Sequence, residues 1–340
     1  MTKVLIIKLG AMGDVLRTTG VLPVLKEKYN GAEIWWLVDE TSREILEGNP
    51  DVDNIIVFEE KNIRDTAAML KKEGFTLVIN LEESMDAVSI ATGLGARCLG
   101  LIEERGEIVP APGAEEMWKM SILGPSPEND ILKKENTRTY QEIVKAMLGL
   151  ERSAGMPYIN TDSENRKYAD NILKKHGLAA GQRIIGINFG SGERWPTKRL
   201  PVDRVCELIE VFSSSGDNAL VIFGGKSEAA NIDIIRTKYP DLLYALDLPV
   251  KVFAALIGKC EVLITTDTLA LHTALAVKTN LIALFGPTSA AEIELFGLGR
   301  KLIAPVSCYC CYKKKCSLNP FCMDMFNPAE IMGIIEKLSS

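Results

Sequence analysis

Apolar positions in this chain fall into short continuous runs rich in Val, Ile and Leu, separated by longer stretches in which apolar residues return every three or four positions. Continuous runs predict strands covered on both faces, and the three-to-four spacing predicts helices with one apolar side. In the first half the pattern reads as strands Lys3–Leu9, Glu33–Val38, Asn54–Phe58, Thr76–Asn80 and Arg97–Leu101. Helices at Gly13–Tyr29, Ser42–Glu47, Ile63–Glu73 and Ser84–Leu94 lie between them. A segment rich in Pro, Gly and charge, Glu103–Glu135, interrupts the alternation before a helix at Thr137–Leu148.

The stretch Glu151–Asp162, with Gly155 and Pro157, reads as a linker. After it the alternation restarts, with helices Ser163–His176, Pro201–Ser213, Ser227–Tyr239, Val250–Lys259 and Thr268–Val277. The strands of this half are Arg183–Asn188, Asn218–Phe223, Leu243–Leu246, Glu261–Thr265 and Asn280–Phe285, and a last helix covers Pro328–Leu338. Strand and helix in strict alternation predict an α/β chain with doubly wound parallel sheets. The expected division is a first domain over 1–160, a second over 161–326, and a terminal helix over 327–340 packing back on the first domain.

Composition narrows the class. A chain of 340 residues exceeds the size at which one core stops growing, which favours two domains. With 47% hydrophobic and 25% charged residues it has enough apolar surface to fold throughout. The net charge of −6 argues against a protein held to nucleic acid by phosphate neutralisation. No apolar run reaches the length of a membrane span, and the run after Met1 ends at Lys8, too soon for a signal peptide. A cytoplasmic protein is expected, its eight cysteines reduced.

The candidate chemistry sits in loops that follow strands. Gly10-Ala-Met-Gly13-Asp14 follows the first strand but lacks the Gly-x-Gly-x-x-Gly spacing of a dinucleotide site, since Met12 and Val15 occupy glycine positions. Asp39, at the end of the second strand, keeps a dehydrogenase reading open. Asp14 reads either as a helix-start acid or as a general base at the carboxyl edge of the sheet. In the second half, Gly190, Ser191 and Gly192 allow close approach of backbone to an anion, and Lys198 and Arg199 follow them. Gly224-Gly-Lys-Ser-Glu228 repeats the arrangement of strand, glycine turn and helix, with Glu228 able to hold ribose hydroxyls. Asp267 and Thr268 stand at a predicted helix start, with His272 one turn further on.

In their order and spacing, five segments resemble glycosyltransferase family 9, the lipopolysaccharide heptosyltransferases. They are Lys3 to Val15, Trp195-Pro-Thr-Lys198-Arg-Leu-Pro, Gly224 to Glu228, Asp267-Thr-Leu-Ala-Leu-His272 and Phe285-Gly-Pro-Thr288. The resemblance implies a GT-B fold, two Rossmann-like domains facing a cleft, the first holding the acceptor and the second a nucleotide-sugar donor. It implies inverting transfer without a metal or other cofactor, with ADP-heptose as donor and a lipid A/Kdo-type core as acceptor. Asp14 matches the family's catalytic base and Lys198 its diphosphate lysine. Glu228 matches the ribose glutamate, and Asp267, Thr268 and His272 the phosphate and sugar loop. Leu269 stands where the family has glycine, which would hinder the phosphate loop if that position needs a positive φ. A GT-B epimerase acting on a nucleotide-sugar is the nearest alternative.

Inversion requires an acceptor hydroxyl on the face opposite the nucleotide, a base for its proton, and positive charge on the departing diphosphate. An Asp near its reference pKa of ~3.9 is ionised at neutral pH, so Asp14 suits the base. His272 falls on the donor side and is assigned to donor binding. For an anionic acceptor the expected contacts are Gly13, Arg17, Lys61 and Arg64. An acceptor carried on lipid implies peripheral contact with the inner face of the cytoplasmic membrane. The cluster Cys308, Cys311, Cys316 and Cys322 has one C-x2-C pair, and its other spacing is not that of a standard zinc site; the expectation is no metal, with Lys313, Lys314 and Lys315 favouring thiolates.

Overall fold

The computed structural model describes residues 2–121, 127–152, 154–178, 181–214 and 218–338, and within them the chain divides into two compact units, Met1–Asn160 and Thr161–Ser340.

The first unit is built on a six-stranded sheet: β1 Lys3–Ile7, β2 Glu33–Asp39, β3 Asn54–Phe58, β4 Leu77–Asn80, β5 Arg97–Glu104 and β6 Glu107–Pro110. The strand order is β3-β2-β1-β4-β5-β6, parallel except for the last pair. β1, with Val4 to Ile7 buried, lies beside the point where the order reverses. The loops that leave β1 and β4 therefore diverge at the carboxyl edge, the place where open α/β sheets hold ligands.

Three local features depart from the expected pattern. The helix predicted over Gly13–Tyr29 is two seven-residue helices, Met12–Thr18 and Leu22–Lys28, joined by a tight turn at Thr19–Val21. Gly20 explains the break, because its backbone lies against Gly155, whose N–H donates to the Gly20 carbonyl at 2.9 Å. A Cβ on Gly20 would collide with the Gly155 carbonyl, so only glycine permits this approach. Pro23, at the start of the second helix, cannot donate back into the first.

The charged stretch Glu103–Glu135 is not irregular where it is described. β5 and β6 form an antiparallel hairpin whose two turn residues, Arg105 and Gly106, both have positive φ, the backbone that a two-residue hairpin requires. Helices Glu115–Ser121 and Pro127–Glu135 follow, and residues 122–126 lie outside the described residues.

The second unit repeats the architecture with β7 Ile184–Asn188, β8 Ala219–Gly224, β9 Leu243–Leu246, β10 Val262–Thr266, β11 Asn280–Phe285 and β12 Gly299–Ile303. All six strands are parallel in the order β12-β11-β10-β7-β8-β9. The order reverses between β7 and β10, so the loops after those two strands flank the ligand edge. β12 is absent from the sequence reading because Gly-Arg-Lys-Leu-Ile carries no apolar run. Its first residue, Gly299, has φ +144° with its α-carbon against the Leu281 carbonyl, where no side chain fits.

In the last helix, Pro328–Leu338, the buried Ile331 and Ile335 join the second unit's core alongside Val205, Phe212 and Met323. No helix among the described residues is long and apolar enough to cross a membrane.

Candidate active site

In the first unit, Asp14 lies in the first turn of the helix that follows β1, and its N–H bonds the Ala11 carbonyl at 2.8 Å. Its carboxylate pairs with Arg17, one turn on, at 3.0 Å. The Arg17 guanidinium also lies 4.0 Å over the ring of Tyr140, whose hydroxyl shares a 2.8 Å hydrogen bond with Thr18. Thr18 in turn donates to the Asp14 carbonyl at 2.7 Å. Burial raises the Tyr140 phenol above its ordinary range, with the Arg17 charge opposing. Tyr140 is held there because Thr139 and Glu142 form a reciprocal capping box at its helix start. The sequence reading missed Tyr140, although the Thr-Tyr-Gln-Glu capping signature was visible.

Around this turn, Lys8 and Glu82 pair at 3.0 Å and Glu82 also accepts from the Leu9 N–H at 3.0 Å, tying the β1 and β4 loops together. Burial raises the Asp39 carboxyl above the usual carboxylate range, and Glu82 adds to the effect. Gly13 is buried at the helix start. Lys61 and Arg64 follow β3, two strands from β1, or about 10 Å by strand spacing. Arg64 is exposed, and Lys61, with 80% of its side chain exposed, touches Glu59 at 3.5 Å.

In the second unit the predicted residues converge. Lys198 ends a short turn, Pro196–Lys198, in the loop after β7. Its ammonium donates to the Asp267 main-chain carbonyl and lies 3.4 Å from the Asp267 carboxylate, in the loop after β10. Both switch-point loops are thus joined by one cation. Thr268 begins the helix Leu269–Ala276 without capping it, its hydroxyl turning to the Thr266 carbonyl at 3.3 Å. The Thr268 side chain thus makes no cap bond to the first-turn amides, and a helix start is where anions are received. Leu269 lies within this helix and has no positive φ, so the replaced glycine imposes no strain. His272 is buried in the same helix.

Glu228 is only 4% exposed and firmly held. Its Oε1 accepts from the Ser227 hydroxyl at 2.8 Å and the Ser191 N–H at 3.4 Å, and its Oε2 accepts from the Gly225 N–H at 3.2 Å. Arg199 adds an ion pair at 3.1 Å and donates to the Gly192 carbonyl at 2.9 Å. Gly190 has no room for a side chain, because a Cβ would sit 2.6 Å from Glu228 Cδ. Asn188, the buried last residue of β7, reaches Thr265 at 3.2 Å and Thr268 at 3.3 Å. Neither Asn188 nor the Arg199–Glu228 pair was singled out from sequence. A polar residue closing an apolar strand was the available signal for the first.

Cys322 departs from the expected thiolate: burial, followed by the neighbouring Cys311, Cys308 and Cys316, pushes its thiol up to about 12. Among the described residues no group of three or more His, Cys, Asp or Glu side chains is placed to hold a metal ion.

Residues 63–321 match glycosyltransferase family 9 (heptosyltransferase). Over 307 residues the chain is 25% identical to lipopolysaccharide heptosyltransferase 3 of Escherichia coli strain K12, covering 81% of this chain and 80% of that protein. Over 358 aligned positions it is 21% identical to lipopolysaccharide heptosyltransferase 1 of Campylobacter coli, covering 99% and 98%. Among solved structures, a family 9 glycosyl transferase from Veillonella parvula superposes with TM-score 0.76 at 20% identity, covering 100% of this chain and 98% of that one. The ADP-heptose lps heptosyltransferase II of E. coli does so with TM-score 0.70 at 17% identity and full coverage of both. These likenesses give the fold, two Rossmann-like domains of the GT-B type.

Proposed function

The chain belongs to glycosyltransferase family 9, the heptosyltransferases, and on that premise we propose that it transfers a heptose with inversion from an ADP-sugar to the inner core of a lipopolysaccharide-type acceptor. The observation that carries the donor half is the Lys198 ammonium, held by the Asp267 carbonyl beside the start of the helix at Leu269. A cation and helix amides fixed at one point are preorganised for the charge that develops on a departing diphosphate. In this reading they do the work a divalent ion does elsewhere. Glu228 suits the ribose, because its Oε2 accepts from one protein donor, the Gly225 N–H, and retains lone-pair capacity for a hydroxyl.

Asp14 is the proposed base. It takes the acceptor proton as the oxygen attacks the anomeric carbon from the face opposite the nucleotide, while the bond to the diphosphate breaks. Arg17, assigned from sequence to the acceptor, orients that carboxylate from one helical turn away. Lys61 and Arg64 are exposed cations suited to an anionic acceptor. An acceptor carried on lipid places the enzyme at the inner face of the membrane. Loss of binding to anionic vesicles as salt rises is the expected mark of that contact.

The test is a thermal-stabilisation screen of nucleotide-sugars followed by a transfer assay on de-heptosylated lipid A core. A donor at 100-fold excess over its dissociation constant stabilises by ~2.7 kcal/mol. Stabilisation by ADP-heptose with product formation supports the reading; turnover of donor without acceptor supports an epimerase instead.

A further inference from the structure

The stretch between β12 and the last helix, left without a role by the sequence, is built against the loop that carries Lys198. Cys310 N–H donates to the Gly286 carbonyl at 3.0 Å and Tyr312 N–H to the Pro287 carbonyl at 2.8 Å, so the stretch runs along the turn leaving β11. Cys310 and Tyr312 have φ of +61° and +49°, a region that residues with a Cβ occupy only when neighbouring contacts impose it. Here those contacts are on both sides of Tyr312. Its hydroxyl accepts from the Ser289 N–H at 3.2 Å and donates to Glu292 Oε1 at 3.0 Å. Its ring meets that of Trp195 edge-on, with centroids 6.0 Å apart.

Two more ties join the same elements. Thr197 Oγ1 donates to the Lys313 carbonyl at 2.6 Å, and the Lys314 ammonium lies 5.8 Å from the Trp195 ring centre. Beneath them the stretch is anchored in the core by Met323 and by Cys322, whose Sγ would lie 2.5 Å from a Cβ on Gly286. The Lys198 N–H donates to the Trp195 carbonyl at 3.0 Å, so whatever fixes Trp195 fixes the turn that presents the ammonium. The Tyr312 phenol is held well above its ordinary range, first by burial and then by Glu292, with Asp267 also contributing, which places it within the field of the donor loops.

We infer that Tyr312 is a positioning residue for the donor: it fixes Trp195 and the turn Pro196–Lys198, and so sets where the Lys198 ammonium meets the leaving diphosphate. This rests on the donor reading given above. Three variants of the full chain test it, Tyr312→Leu, Tyr312→Phe and Thr197→Val, with ADP as the probe. Hydrogen exchange needs no ligand. The hydrogen-bonded amides of Lys198 and Arg199 in Tyr312→Leu and Thr197→Val are expected to exchange at least ~5-fold faster, with those of β7 unchanged. Tyr312→Leu is expected to lower ADP affinity ~10-fold in the parent and to show no loss when Lys198 is already Ala, because Tyr312 acts through Lys198. Tyr312→Phe keeps the ring contact and should stay within ~3-fold of the parent.

Unchanged exchange at Lys198 and Arg199 in both Tyr312→Leu and Thr197→Val overturns the inference, as does full additivity with Lys198→Ala. If exchange rises as expected but the parent chain does not bind ADP, the anchoring of the loop stands and the donor reading fails.

Discussion

Arg17 and Asp14 form an ion pair at 3.0 Å across one helical turn, and the same guanidinium lies over Tyr140. The proposed base is therefore oriented by its own helix and by a residue more than a hundred positions away. Replacing Asp14 with Asn keeps the shape and removes the proton acceptor. Turnover is expected to fall ~10²–10⁴-fold with ADP affinity within a few fold. Steady-state kinetics alongside calorimetric titration of ADP check it, and unchanged turnover would remove Asp14 from the mechanism.

Lys198→Ala removes the cation that joins the loops after β7 and β10. On the proposed reading its charge is aimed at the leaving group, and the expected loss is ~10²–10³-fold in kcat. A rise in KM alone would instead mean ground-state binding only.

Gly190→Ala is expected to damage the proposed donor site without unfolding the unit. The added methyl meets Glu228 Cδ at 2.6 Å, and Glu228 can yield only by leaving Gly225 and Ser227. A ~10-fold loss of ADP affinity, ~1.4 kcal/mol, is the expected outcome in a titration, with a melting temperature close to the parent's.

Stability should decline at alkaline pH. Burial raises Cys98 to about 11 and Cys260 to about 12, from an ordinary thiol value of 9.0, and burial together with nearby thiols raises Cys322 to about 12. Below pH 9 these thiols are protonated in both folded and unfolded chains, and their contribution is fully present. Above it the unfolded thiols ionise first, so stability is lost as pH climbs from 9 towards 12. Urea midpoints at pH 8 and pH 10 measure the fall, and Cys260→Ala should make it shallower.

Alternation of strand and helix was legible because nearly continuous apolar strands leave little ambiguity in a parallel sheet. The unreadable parts depend on contacts distant in sequence. Gly20 breaks a helix because Gly155 lies against it, and a lone glycine in an apolar helix pattern does not announce that neighbour. β12 is a polar edge strand whose pairing comes from β11 and from the Gly299 backbone. Lys198, Glu228, Asp267 and Thr268, which the structure brings to the switch-point loops, were legible as candidates because each closes or follows a strand. Arg199 was legible as a cation of the loop after β7 but its pairing with Glu228 was not, and Tyr312 could not be found, since its contacts join elements distant in sequence.

The Gly20–Gly155 contact also orders events in time. A chain made from its N-terminus emits Asp14 and its helix early, yet Tyr140 and Gly155, which set that helix's course, emerge at the end of the first unit. Contacts of such long sequence separation form late because the intervening loop must close first. The acidic turn at Asp14 thus takes its final shape only once almost the whole of the first unit has been synthesised, and a chain stopped before residue 155 would carry the residue without its geometry.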